Sequence, residues 1–259
     1  MMRFPLRLTA DLAMARFARN SRLALDSKPV QFVGAAEILH HDSNHPVSHE
    51  KIREIIASRS PVVWIGGSEP LHHPGISHLV RAIIGSGHFV FLETDGTLLR
   101  PRIHEFQPVS RLFLTVRMQS GRQRQTSKTL PANTWELAAE GIRAARLSGF
   151  LICVHARVRG ETELGEMAGL VQFARSLDVD GIVISPANSG ANSAHPDAAA
   201  LRRKTAEARK LIGSKWWESF SDFIEPVVSG KRLATRSADE TAVCLAQESH
   251  ANEEGVRVA

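Results

Sequence analysis

Short apolar blocks alternate along this chain with longer stretches in which apolar positions recur every three or four residues. The blocks are residues 30–35 (VQFVGA), 62–65 (VVWI), 89–93 (FVFLE), 112–116 (LFLTV), 150–158 (FLICVHARV) and 181–185 (GIVIS). Most are apolar at nearly every position rather than at alternate ones, which predicts strands covered on both faces. Between them, residues 48–58 place Ile52, Ile55 and Ile56 at helical spacing behind Ser48 as a cap. Residues 76–86 align Leu79, Val80, Ile83 and Ile84, and residues 161–177 align Met167, Leu170, Val171 and Phe173. Residues 134–147 form a third amphipathic stretch, and residues 101–106 a short helix. Gly87 and Gly149 follow two of these helices, where glycine accepts the left-handed C-terminal conformation. Six β-then-α steps require a parallel sheet, and a right-handed succession of them curls into a partial (βα)6 TIM-like barrel.

After Pro186 the pattern changes. Residues 187–196 read as a Gly/Asn/Ser loop, and residues 197–212 and 216–228 as two further helices, the second carrying Trp217, Phe220 and Phe223. Beyond about residue 230 the chain is polar, and residues 248–259 have the composition of a disordered tail. Residues 119–133 are polar, basic and poor in apolar positions, which reads as a loop. Residues 9–24 are amphipathic, with Ala13, Met14 and Phe17 on one face and Arg16, Arg19 and Arg22 on the other. The expected organisation is an N-terminal amphipathic helix (1–27), the partial barrel (28–190), and a helical C-terminal extension with its tail (191–259).

Composition narrows the classes. With 259 residues, 43% hydrophobic and 23% charged, the chain suits one soluble α/β domain. No apolar run reaches the ~18–20 residues that span a bilayer, and no long apolar region follows Arg3 and Arg7, so no secretory signal is expected. Two cysteines, Cys153 and Cys244, make neither a disulfide framework nor a zinc ribbon, and a reducing cytoplasm is the simplest compartment. The net charge of +5 is spread along the chain without a basic stripe interleaved with aromatics, so no nucleic-acid partner is expected. The basic N-terminal helix is read first as a docking helix of the barrel. Its alternative is a peripheral contact with an anionic membrane surface. No protein partner is assigned.

In a parallel barrel, ligands gather at the C-terminal ends of the strands. That rule selects Glu37 and His40 after the first strand, Gly67, Ser68, Glu69 and Pro70 after the second, and Thr94, Asp95 and Gly96 after the third. It selects Arg117, Arg157 and then Ser185 to Asn188 after the remaining three. The set is polar and carries both charges, which suits a small charged ligand. His40, His41, His45 and His49, with Asp42, make the first of these loops histidine-rich, and His72 and His73 follow the second strand. Pro46 interrupts any single helix that would align them, so they are read as loop histidines and no metal site is assigned. His155 is read as a hydrogen-bonded core or rim residue, with acid–base chemistry as its alternative. No nucleophile elbow, zinc-protease, Walker or dinucleotide motif is present, and no catalytic residue is assigned.

The segment WIGGSEP…FLETDG carries a family resemblance. Its Gly67-Ser68-Glu69-Pro70 and Thr94-Asp95-Gly96 turns, on consecutive strands, resemble the GGEP and TNG turns of the radical S-adenosylmethionine (radical SAM) superfamily, over roughly residues 28–190. Three segments are similar to the adenosylhopane-forming branch of hopanoid biosynthesis: PVVWIGGSEP (61–70), FVFLETDG (89–96) and VDGIVISP (179–186). The resemblance implies a radical SAM-type partial barrel and S-adenosylmethionine as cofactor. The implied ligand site holds Gly67, Ser68, Glu69, Pro70, Thr94 and Asp95, with Arg117 and Ser185 on neighbouring strand ends. Ser68 stands where the family has its second glycine, and its side chain narrows the approach and disfavours a positive φ. The family's cluster also needs three thiolates from a CxxxCxxC loop after the first strand. Here that stretch, residues 37–49, has no cysteine. No iron–sulfur cluster is therefore expected, and the expected function is that of a non-catalytic accessory or ligand-binding relative, a pseudoenzyme. The alternatives are an active enzyme whose cluster ligands come from elsewhere, or a metal- or SAM-dependent enzyme of altered chemistry.

Overall fold

The computed structural model describes residues 5–20, 30–35, 49–119, 134–187 and 197–228. Elements follow in the order α1 (Leu6–Asn20), β1 (Val30–Gly34), α2 (His49–Ala57), β2 (Val62–Gly66), a 3-10 turn (Pro70–His72), α3 (Ile76–Gly85) and β3 (Phe89–Thr94). Next come α4 (Leu99–Arg102), which runs into a second 3-10 turn (Ile103–Glu105), then β4 (Leu112–Met118), α5 (Thr134–Leu147) and β5 (Leu151–Val158). The order closes with α6 (Leu164–Ser176), β6 (Gly181–Pro186), α7 (Asp197–Lys210) and α8 (Lys215–Val228). The six strands lie side by side in chain order, every pair parallel. This is the expected curled half-barrel. Strands β2, β3 and β6 are buried at every position, as their largely apolar runs predict. The histidine-rich loop with Glu37 and His40, the 120–133 and 188–196 loops, residues 21–24, and the tail from 229 with Cys244 lie outside the described residues.

Successive side chains of a strand point to opposite faces, so one face packs on the helices and the other lines the hollow of the half-barrel. The hollow has an aromatic floor. Trp64, Phe91 and Phe113 are register neighbours on β2, β3 and β4 and stack with ring centroids 5.3 and 4.6 Å apart. Helix α8 lays Phe220 against Phe91 (5.0 Å) and Trp217 edge-on to Phe113 (5.9 Å). It packs on both β6 and β1, the two edges of the sheet.

An open barrel leaves an edge strand whose backbone groups need partners. Side chains supply them on β6. The Ser221 hydroxyl accepts from Ile184 N–H (3.2 Å), and the Arg209 Nε donates to the Ile184 carbonyl (2.9 Å). Arg209 is itself buried and paired with Asp222 and, at 2.6 Å, with Glu225. The C-terminal helices thus replace the strands a closed barrel would have.

Two expectations need correction. The packing face of α1 is not the one containing Ala13. Leu8 is buried, Leu12 packs beside it one helical turn on, and Ala13 is exposed. Small and apolar residues occur on more than one side of this helix, so periodicity left the choice open. The strands also run past their apolar blocks, β2, β3 and β6 by one residue, to Gly66, Thr94 and Pro186, and β4 by two, to Met118. The parallel ladder carries on through these positions, pairing Gly34 with Gly66, Thr94 with Val116, Met118 with Ala156 and Val158 with Pro186. Among the described residues no helix is long and apolar enough to cross a membrane.

Candidate functional site

Strand β2 ends in a turn that only glycine makes cheaply. Gly67 sits at φ +98, exposed, and a Cβ there would meet nothing within 4 Å. The left-handed residue is therefore Gly67. Ser68 lies outside that region, so its side chain does not strain the turn.

The Glu69 carboxylate ties this turn to the next one. Oε1 accepts from Leu71 N–H (3.0 Å), capping the 3-10 turn, and from the Thr94 hydroxyl (2.7 Å), while Oε2 accepts from Asp95 N–H (2.7 Å). Thr94 Oγ1 accepts from Gly96 N–H (3.0 Å), and Asp95 Oδ1 accepts from Thr97 N–H (2.9 Å), the local turn bond expected of a short side chain there. Burial pushes the Glu69 carboxyl above its usual value, against the pull of these bonds. Arg102 braces the pair from behind, donating to the carbonyls of Leu71 and His73.

Above the aromatic floor, toward the C-terminal strand ends, lies a polar layer centred on Glu93, whose side chain is fully buried. Trp64 Nε1 donates to its Oε2 (3.3 Å). Its Oε1 receives His155 Nδ1 (2.7 Å) and Arg157 Nη2 (3.3 Å), with Arg117 Nη1 at 3.9 Å. On the far side of the ring, His155 Nε2 lies 2.8 Å from Ser185 Oγ. Arg117 also reaches over the end of β3 to donate to the Gly67 carbonyl (3.3 Å). Thr115, the register partner of Glu93, has a buried hydroxyl with no partner among the described residues.

Protonation states follow from this arrangement. Burial pushes the Glu93 carboxyl up, but His155, Arg157 and Arg117 together outweigh it and hold the group at about 2. Burial pushes the His155 imidazole below its usual value, with Glu93 opposing, so the ring is neutral at neutral pH. An ionised carboxylate only accepts, so Nδ1 carries the ring proton. Nε2 must then accept, and the Ser185 hydroxyl donates to it. Glu93, His155 and Ser185 form one oriented hydrogen-bond chain.

The sequence-selected residues fall into two linked groups. Gly67, Ser68, Glu69, Pro70, Thr94 and Asp95 form the paired turns over β2 and β3. Arg117, Arg157 and Ser185 join the layer around Glu93, and the Arg117–Gly67 bond links the two groups. Glu37 and His40 lie outside the described residues. His155 is the hydrogen-bonded buried residue expected of it. His72 is exposed, and His73 is buried with Nδ1 accepting from Gly75 N–H (2.9 Å). Among the described residues no three His, Cys, Asp or Glu side chains gather to hold a metal ion. Glu93 escaped the sequence reading, which looked beyond strand ends rather than inside strands. The signal was there: a carboxylate within FVFLET, a run otherwise apolar, is tenable only with buried partners.

No family model matches this chain, and no curated protein matches it. Solved structures do match in fold. Streptococcus suis SuiB bound to S-adenosylmethionine aligns at 15% identity with TM-score 0.55, over 78% of this chain and 48% of that one. SuiB bound to its precursor peptide SuiA aligns at 14% identity with TM-score 0.52, over 82% and 50%. SuiB alone aligns at 13% identity with TM-score 0.53, over 78% and 52%. The chain spans about half the length of these structures. At such identities the likeness establishes architecture alone: the chain has a partial (βα)6 barrel of the kind found in SuiB.

Proposed function

We propose that this chain is a ligand-binding relative of the radical SAM enzymes that carries no iron–sulfur cluster of its own, with its ligand held at the C-terminal strand ends. The observation that carries the reading is the donor set. A cluster of the implied kind needs three thiolates, and these 259 residues contain two cysteines. Of those, Cys153 is fully buried within β5, where burial pushes the thiol well above its usual value and keeps it protonated. The residues do not fit the cluster. They do suit a small charged ligand: the paired turns around Glu69 are preorganised by its hydrogen bonds, and Arg117 and Arg157 stay partly exposed beside Glu93.

S-adenosylmethionine is the first ligand to test, because SuiB is seen with it bound and the two turns resemble those of its superfamily. Calorimetric titration of the full chain is expected to give saturable binding that Glu69→Ala weakens. No binding at millimolar ligand would reduce the chain to a scaffold, and unchanged affinity in Glu69→Ala would refute the assigned pocket. Anaerobic reconstitution with iron and sulfide is expected to leave the protein colourless, and a brown chromophore would overturn the cluster-free reading. The hopanoid-branch kinship stands as part of this proposal, on the three similar segments alone.

The Ser185–His155–Glu93 chain favours a second reading, an enzyme of altered chemistry with His155 as general base. Labelling of Ser185 by a fluorophosphonate, lost in His155→Gln, is the result that would move the assignment there.

A further inference from the structure

We infer that Arg117 and Arg157 form a slot for the phosphate group of a small-molecule ligand. The inference rests on the ligand-binding reading above and names the chemistry of that ligand.

Charge is the first ground. The two guanidiniums come from neighbouring strands, keep 23% and 32% of their side-chain surface exposed, and converge on one oxygen of Glu93. That oxygen is also occupied by His155 Nδ1–H. His155 is neutral, and Trp64, Thr115 and Ser185 carry no charge. Among the described residues this layer sets two guanidiniums against one carboxylate, with both guanidinium side chains partly exposed. Among the described residues no other carboxylate pairs with either guanidinium: the Glu69 oxygens accept from Leu71, Thr94 and Asp95, Asp95 accepts from Thr97, and Glu161 faces Arg159 at 3.9 Å.

Donor geometry is the second ground. Each guanidinium offers five N–H groups. Among the described residues Arg157 spends one on Glu93, and Arg117 reaches only Gly67 O and the flank of Glu93. One planar fork saturates a carboxylate, whereas two forks from separate strands suit a tetrahedral oxyanion with three oxygens to share. The spare donors belong to the two side chains of the layer that stay partly exposed.

The test is calorimetric titration of the full chain with sodium phosphate, glycerol 1-phosphate and sodium acetate at one ionic strength. Saturable binding of phosphate and of the ester, with acetate weaker by about tenfold or more, is expected. Tighter binding of glycerol 1-phosphate identifies a phosphate ester as the ligand, and equal affinity identifies the free oxyanion. Arg157→Gln is expected to weaken phosphate by about tenfold or more, while Arg143→Gln, at an exposed position on α5, leaves it unchanged. Should Arg157→Gln fail to fold, Arg157→Lys decides, since it keeps the charge beside Glu93 but loses the fork. A fall of about threefold or more with unchanged circular dichroism supports the slot. No saturable phosphate binding, acetate binding as tight as phosphate, or full affinity in the Arg157 variants would overturn it. S-adenosylmethionine binding without phosphate binding removes the slot alone, and phosphate binding without S-adenosylmethionine binding removes that cofactor alone.

Discussion

Replacing Glu93 by Gln removes the negative charge from the polar layer and nearly keeps its shape. The wild-type carboxyl sits at about 2, against 4.5 for a free one, because His155, Arg157 and Arg117 outweigh its burial. That gap corresponds to about 3 kcal/mol of stability at neutral pH. The folded value is the lower one. The contribution is therefore complete above the unfolded value near 4.5 and disappears as pH falls through about 2. At pH 3 about 1 kcal/mol of it remains. His155 acts in the same direction: its folded value lies below 6.5, so the unfolded ring gains a proton first and the wild type weakens on acidification. Urea unfolding followed by circular dichroism, on both chains at pH 7 and pH 3, reads the difference. The variant is expected to lose about 3 kcal/mol at pH 7, or roughly 6–12 °C in melting temperature, and the wild type is expected to weaken from pH 7 to pH 3. Equal stability of the two chains at pH 7, or a wild type no weaker at pH 3 than at pH 7, would refute the assignment of Glu93 as an ionised, net-stabilised hub.

Three further outcomes follow from the geometry. Gly67→Ala meets open space and bears only the left-handed backbone cost, about 1 kcal/mol, whereas Gly96→Ala at φ +87 also drives its Cβ to 3.0 Å from the Ala138 backbone and should lose at least about twice as much; urea midpoints of the two variants give the ranking. Arg209→Ala uncovers the Ile184 carbonyl and removes the ion pairs to Asp222 and Glu225; a loss of about 2–4 kcal/mol is expected, with concentration-dependent light scattering from the opened sheet edge. Iodoacetamide followed by peptide mass mapping should leave Cys153 unmodified in the native chain at pH 8 and modify it in urea, because burial both covers the thiol and keeps it protonated.

Much of the architecture could be read from order and pattern alone. The largely apolar runs of β2, β3 and β6 announce strands buried on both faces, and their alternation with 3.6-periodic helices leaves a parallel sheet as the available topology. The GSEP and TDG turns were legible because short-range backbone needs write themselves into residue type. A left-handed turn calls for Gly67, and a side-chain-bonded turn calls for Asp95. The candidate ligand residues were legible through a rule about strand ends, which picked out Arg117, Arg157 and Ser185 without knowing what joins them.

Only the three-dimensional arrangement supplied that join. Glu93 and His155 are 62 positions apart, and His155 and Ser185 are 30 apart. A hydrogen bond over such separations depends on strand register and barrel curvature, which local pattern does not encode. The same holds for Trp217 and Phe220, whose apolar stripe promised burial but not that they would roof the aromatic floor. Periodicity says that a face must be covered. Which surface covers it, and which buried charge finds which partner, is settled by long-range packing.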